Sequence, residues 1–139
     1  MAIFILFAGR FNSVSHCEYY YINDVFVHET AIIDSGAKTG TGIQIWHWTH
    51  VGSSAVIGQK CNIGQNVFVV DQVTIGNGCK IQNNVSLYKG VLLDHSLVAG
   101  NPTKQIGWMC MRVERLAGHL HCPCCGKNYQ RIESGLTER

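Results

Sequence analysis

Residues 25 to 102 divide into consecutive sixes without a gap, and this period constrains the fold more than any single residue does. The third member of each six runs Val27, Ile33, Thr39, Ile45, Val51, Ile57, Ile63, Val69, Ile75, Ile81, Leu87, Leu93, Ala99. Thr39 and Ala99 are small enough to stay inside. The first member is small or aliphatic throughout, from Val25 and Ala31 to Cys61, Cys79 and Leu97. First and third members are two apart, so on a strand they share a side, and the second points outward. Second members are mixed in kind (Lys38, Gln44, His50, Asn62, Thr74, Lys80), as exposed positions should be. Members four to six must turn the chain, and the glycines among them (Gly40, Gly52, Gly58, Gly64, Gly76, Gly100) admit a positive φ. Such a period marks a parallel β-helix, in which three short strands and three turns close a triangular coil of about eighteen residues.

Stacked coils put residues eighteen apart on one ridge. After the first strand of each coil the ridge reads Trp46-His47-Trp48, then Gly64-Gln65-Asn66, then Gln82-Asn83-Asn84. His47, Gln65 and Asn83 therefore form one column and Trp48, Asn66 and Asn84 another. His50 points outward on the next strand, in one row with Phe68 and Ser86. The third corner, with Gly40-Thr41-Gly42 and Gly76-Asn77-Gly78, is ordinary turn chemistry. Histidines, tryptophans and a carboxamide ladder on one ridge suit a small-molecule site. Stacked Asn and Gln also stabilise solenoid turns with no ligand, so both readings of the ladder stand at this stage.

Composition excludes more than it assigns. A net charge of +2 on 139 residues argues for neither a nucleic-acid partner nor a membrane surface. Seven cysteines would suit a disulfide scaffold, but Cys61 and Cys79 fall on inward positions. A reduced, cytoplasmic protein follows. Residues 1–24 do not join the register and are expected to cover the first coil. Ala2–Ala8 is apolar but too short to span a bilayer. Residues 103–139 form a small Cys-rich tail, expected to hold loops and a hairpin.

Several stretches carry a resemblance: Val27-His28-Glu29-Thr30-Ala31-Ile32-Ile33-Asp34, Ile45-Trp46-His47-Trp48-Thr49-His50-Val51, Gly64-Gln65-Asn66-Val67-Phe68-Val69, Ile81-Gln82-Asn83-Asn84-Val85-Ser86-Leu87-Tyr88, and Gly100-Asn101-Pro102 through Cys110. In these the chain resembles the hexapeptide-repeat acyltransferases, and within them the bacterial N-acetyltransferases of nucleotide-linked 3-amino sugars. The resemblance implies an all-β, single-stranded left-handed parallel β-helix. It implies a homotrimer, acetyl-CoA as co-substrate, a nucleotide-sugar acceptor and a role in lipopolysaccharide or surface-polysaccharide synthesis. It implies that Asn84 lies by the acceptor amine, with His47 or His50 as general base. It also implies that Trp46, Trp48, Gln65, Asn66, Gln82, Asn83 and Tyr88 bind substrate or cofactor.

Two departures from the family pattern matter. A segment on the order of sixty residues, set against the usual domain span, is absent between Val91-Leu92-Leu93-Asp94 and Leu97-Val98-Ala99. Here only His95 and Ser96 join the two parts, in a way that keeps the six-residue register. A shortened, inactive scaffold is thus the alternative to an enzyme. In the tail, Cys122-Pro123-Cys124-Cys125-Gly126 keeps one half of a zinc ribbon, while Arg112 replaces a thiolate of the other half. Structural zinc takes four ligands, and Cys110, Cys122 and Cys125 with His121 or His119 would complete a set; a metal-free tail is the alternative.

Overall fold

The computed structural model describes residues 25–111, 114–133 and 135–139. The expected cover segment, residues 1–24, lies outside them. Twelve two-residue strands occupy the second and third members of successive sixes: β1 (Phe26–Val27), β2 (Ile32–Ile33), β3 (Lys38–Thr39), β4 (Gln44–Ile45), β5 (His50–Val51), β6 (Val56–Ile57), β7 (Asn62–Ile63), β8 (Phe68–Val69), β9 (Thr74–Ile75), β10 (Lys80–Ile81), β11 (Ser86–Leu87) and β12 (Leu92–Leu93). Four longer strands follow: β13 (Ser96–Ala99), β14 (Lys104–Trp108), β15 (Tyr129–Ile132) and β16 (Gly135–Glu138). Every third strand pairs in parallel, which makes three sheets, β1-β4-β7-β10-β13-β14, β2-β5-β8-β11 and β3-β6-β9-β12. Pairs such as Phe26↔Gln44 and Gln44↔Asn62 put one coil at eighteen residues. The result is the all-β parallel prism of hexapeptide repeats, consistent with a left-handed β-helix.

Inward first and third members form one core from Ile43 to Val98, in which Ile45, Ile63, Val69, Val85 and Leu87 have no exposed surface. Each such side chain contributes on the order of 1.5–3 kcal/mol of gross burial, largely offset by chain entropy. Cys61 and Cys79 lie in this column as free thiols. Its hydrogen bond with the Cys61 thiol, and then burial, push the Cys79 thiol up, so it behaves as a small apolar residue. Thr39, expected inside, is exposed. It lies on the end strand of its sheet, where no described coil covers it.

The turns divide their work differently from the expectation. Gly100 apart (φ +85), the fourth-member glycines are not there for a positive φ. A Cβ on Gly64 would stand 2.9 Å from the backbone N of Asn83 and from the carbonyl carbon of Gln82. Close stacking of the next coil, not backbone handedness, therefore demands glycine. The left-handed residues are sixth members instead: Trp48, Lys60, Asn66, Gln72 and Asn84 have φ of 52–62°.

The register also slips once. Lys80 pairs with Leu97 and Ile81 with Val98, a separation of seventeen. The turn at Asp94 and His95 has two residues where the others have three, so the join does not keep the sixfold register. Val98, not Ala99, takes the inward position and is fully buried. β13 then pairs antiparallel with β14, which closes that edge of the sheet. Leu97 packs on Met109 at the junction. The tail has its own small core of Cys110, Leu116, Cys122, Tyr129 and Leu136, and its hairpin is β15–β16.

Candidate functional site

The first ridge is built as three stacked turns. The Asn66 N–H donates to the His47 carbonyl and the Asn84 N–H to the Gln65 carbonyl, each at 2.9 Å. The Gln65 N–H donates to Asn83 Oδ1 at 2.8 Å, and Asn66 Nδ2 donates to Asn84 Oδ1 at 2.9 Å. His47, Gln65 and Asn83 thus share one column and Trp48, Asn66 and Asn84 the next. The Asn83 bond recurs at the third corner, where the Gln59 N–H donates to Asn77 Oδ1 at 2.8 Å. The Asn83 oxygen is therefore doing a turn's work, which leaves only its Nδ2 for a ligand. The Asn66–Asn84 pair has no such counterpart at the third corner, whose sixth members are Gly42, Lys60 and Gly78.

The predicted residues fall on two sides of this ridge. Trp46, Gln65, Gln82 and Asn83 line a groove of about 300 Å³ against the first sheet, together with Asn62, Lys80 and Ile81. Trp46 Nε1–H donates to Asn62 Oδ1 at 3.0 Å, which pins the indole as one wall. Its other neighbour is Phe26, with ring centroids 5.1 Å apart. Trp48, Asn66 and Asn84 open toward the second sheet and are exposed. Tyr88 stands apart at the second corner, beyond β11, and is 59% exposed.

His50 lies on the outward face of β5 and does not join His47. Its Nε2 is 3.0 Å from Asp34 Oδ2, and Phe68 covers the ring at 5.4 Å between centroids. With the carboxylate accepting from Nε2–H, the Nδ1 lone pair is left free. The partner of His47 is instead His28, whose ring lies against it with centroids 3.6 Å apart and planes tilted by 31°. His28 is buried, and its Nδ1 accepts from the Thr30 N–H at 3.2 Å. Thr30 Oγ1 in turn accepts from the Trp48 N–H at 2.9 Å. His47 Nδ1 is buried with no hydrogen-bond partner among the described residues.

Sequence columns of eighteen missed Asp34, His28 and Asn62. Both Asp34–His50 and Trp46–Asn62 are sixteen apart. A fourth member leans on the second member of the next coil, and that diagonal is the signal that finds Asp34 and Asn62; His28 and His47 are nineteen apart.

In the tail, the sulfurs of Cys110, Cys122 and Cys125 lie within 4.8 Å of one another. Burial works against ionisation of Cys122. The N–H groups of Cys125 and Cys124 and the neighbouring thiols outweigh it, and the thiol is held below its usual range. Three converging thiols with one biased toward thiolate fit a soft divalent ion such as zinc. His121 does not join them. The bridge His121↔Asn128 turns it outward, and its Nδ1 is 2.8 Å from Asn128 Oδ1.

Comparison with known proteins places this geometry. Residues 54–89 match the bacterial transferase hexapeptide model, described as six repeats. Over those residues the prism is similar to the hexapeptide repeats of bacterial transferases. Over 99 residues the chain is 28% identical to acyl-[acyl-carrier-protein]--UDP-N-acetylglucosamine O-acyltransferases of Brucella ovis and of Brucella melitensis biotype 2. The match covers 70% of this chain and 35% of theirs, so the chain spans well under half of these relatives. Among solved structures, a GDP-perosamine N-acetyl transferase mutant from Caulobacter crescentus, in complex with CoA and GDP-perosamine, aligns at a TM-score of 0.32 and 17% identity. That alignment covers 60% of this chain and 56% of the other. The hexapeptide-repeat prism is thus similar in sequence to acyltransferases. Among the described residues no helix is long and apolar enough to cross a membrane.

Proposed function

We propose that this hexapeptide-repeat protein is an N-acetyltransferase that moves the acetyl group of acetyl-CoA to the amine of a nucleotide-linked amino sugar. The Asn66–Asn84 ladder on the first ridge carries the reading. Asn66 Nδ2 occupies one lone pair of Asn84 Oδ1 and fixes the amide. The other lone pair accepts from the acceptor amine and aims the nitrogen at the thioester carbonyl. Orientation of this kind supplies a large part of such a rate.

The chemistry then needs little else. The amine nitrogen attacks the carbonyl carbon, and the developing oxyanion takes a hydrogen bond from Asn83 Nδ2 or a backbone N–H. His50, held by Asp34 two strand spacings (~10 Å) from the Asn84 coil, takes up the amine proton at Nδ1 by relay through water. The C–S bond breaks, and the CoA thiolate leaves and takes up a proton. Trp46, Trp48, Gln65 and Gln82 wall the substrates, and His47, lying against His28, holds the ridge in shape. The tail holds zinc through Cys110, Cys122 and Cys125 as a structural pin. A homotrimer in the cytoplasm, acting in surface-polysaccharide synthesis, completes the proposal.

The test is thiol release from acetyl-CoA with a UDP-linked 3-amino sugar. A parallel arm uses acyl-carrier protein and UDP-N-acetylglucosamine, the substrates in the relatives' names. Release above background in the first arm supports amine acetylation; release only in the second replaces it with hydroxyl acylation.

A second reading, a shortened scaffold without activity, rests on the two-residue turn at Asp94 and His95. It leaves no room there for the segment that the resemblance expects. Calorimetry separates the two, since a scaffold has no need to bind CoA.

A further inference from the structure

The outward row of the first sheet runs Phe26, Gln44, Asn62, Lys80 and Leu97, and Gly107 of β14 faces Leu97. It holds no carboxylate. Asn62 Oδ1 accepts from Trp46 Nε1–H, and Asn62 Nδ2 donates to Gln44 Oε1 at 3.0 Å, so the amide is locked into the wall. Lys80 is the next polar group along the row and the one cation that lines the groove. Among the described residues neither Lys80 nor Arg115 has a carboxylate partner.

Arg115 approaches the same face from the tail. Its Nε is 3.3 Å from the place a Cβ on Gly107 would occupy, and its Nη2 donates to the Ile106 carbonyl at 3.3 Å. Gly107 is two strands from Lys80, ~10 Å at the usual strand spacing. Lys80 in the groove and Arg115 beside Gly107 thus stand on either side of Leu97, where the sheet continues past the Lys80 end of the groove. The other end offers an indole wall and the carboxamides of Gln65, Gln82 and Asn83.

From this we infer that the groove is a diphosphate subsite: Lys80 and Arg115 hold the phosphates of a nucleotide whose remainder lies along Trp46. Lysine binds phosphate as a point charge and arginine as a two-pronged donor, and both gain from a wall without competing anions. The inference rests on the transferase reading, in which the nucleotide sugar and CoA each carry a diphosphate. The shared chemistry is the diphosphate, and the two sources are separable.

Titration calorimetry of the full chain with UDP, CoA and inorganic pyrophosphate is the test, on wild type, Lys80→Gln, Arg115→Gln and Lys38→Gln. Lys38 is exposed on another sheet and serves as the control. Loss of a charge-assisted contact predicts an affinity fall of about ten-fold or more for Lys80→Gln, a smaller one for Arg115→Gln and none for Lys38→Gln. Binding should weaken with added salt. If only UDP is affected, the groove serves the nucleotide sugar; if only CoA is affected, it serves the acyl donor. Wild type that binds none of the three probes, or Lys80→Gln that binds all within two-fold of wild type while its circular dichroism is unchanged, overturns the inference. Lys80-dependent binding without thiol release sinks the transferase reading and leaves the subsite standing. Thiol release with Lys80-independent binding does the reverse.

Discussion

His50 and Asp34 meet side chain to side chain at 3.0 Å although sixteen residues separate them, because a fourth member of one coil leans on a second member of the next. Each is about two-fifths exposed, so as an ion pair it adds at most ~1 kcal/mol to stability. Its value lies in fixing which ring nitrogen is free. His50→Ala should lower kcat/KM for acetyl transfer by about 10²-fold or more, the scale of a general base. Asp34→Asn should cost about ten-fold, with little change in melting temperature. Steady-state rates that match wild type in both variants would remove His50 from the mechanism.

The fourth-member glycines make a stability prediction. Gly64→Ala forces a Cβ against the Asn83 N and Gln82 carbonyl carbon at 2.9 Å and should cost about 1–3 kcal/mol. Gly90 has φ +86 with nothing within 4 Å of a Cβ, so Gly90→Ala meets only the backbone cost of a left-handed alanine, about 1–2 kcal/mol. Denaturant unfolding of a double variant that adds Asn83→Ala, which removes the nearest atom (Oδ1, 2.5 Å), should leave part of the Gly64 cost in place, because the backbone atoms at 2.9 Å remain.

Tyr129 ties the tail core to alkaline pH. Burial raises its phenol to about 12, against 10 in an open chain, and the hydroxyl accepts from the Met111 N–H at 3.1 Å. The folded state therefore holds the proton more tightly than the unfolded state. The contribution is complete below pH 10 and is lost as pH rises toward 12. Tail stability, read by near-ultraviolet circular dichroism, should fall across that window in wild type. Tyr129→Phe should be flat there.

Metal analysis of purified protein should find close to one zinc per chain, lost in Cys122→Ser and kept in His121→Ala. Zinc should also leave on acidification, because protons compete for the thiolates. Less than about a tenth of an equivalent in wild type, on the same linkage argument, ends the zinc proposal. Loss on His121→Ala would restore the ligand set expected from sequence.

The sixfold period made the prism and its three ridges readable, because inward and outward positions alternate on every strand and the columns hold wherever coils are eighteen residues. The slip at Asp94 and His95 was not readable. Leu97, Val98 and Ala99 are all apolar, so either register presents an acceptable inward residue. Asp34 was hidden for another reason: columns relate equal positions, and its contact is diagonal. His28 was not readable as the ring partner of His47, since that contact depends on side-chain rotamers. The groove's extent also escaped the sequence. It needs the outward row of one sheet and the ridge beside it to be seen together.

The most direct test of the ridge as a reacting centre is acetylation by wild type and Asn84→Gly, followed by mass spectrometry of the sugar nucleotide. Glycine keeps the φ of 60° without strain and removes only the amide. The account predicts an N-acetylated product from acetyl-CoA and a UDP-linked 3-amino sugar, and a fall of about 10²-fold or more in Asn84→Gly at unchanged melting temperature. Equal product from both proteins, or none from folded wild type, would contradict it.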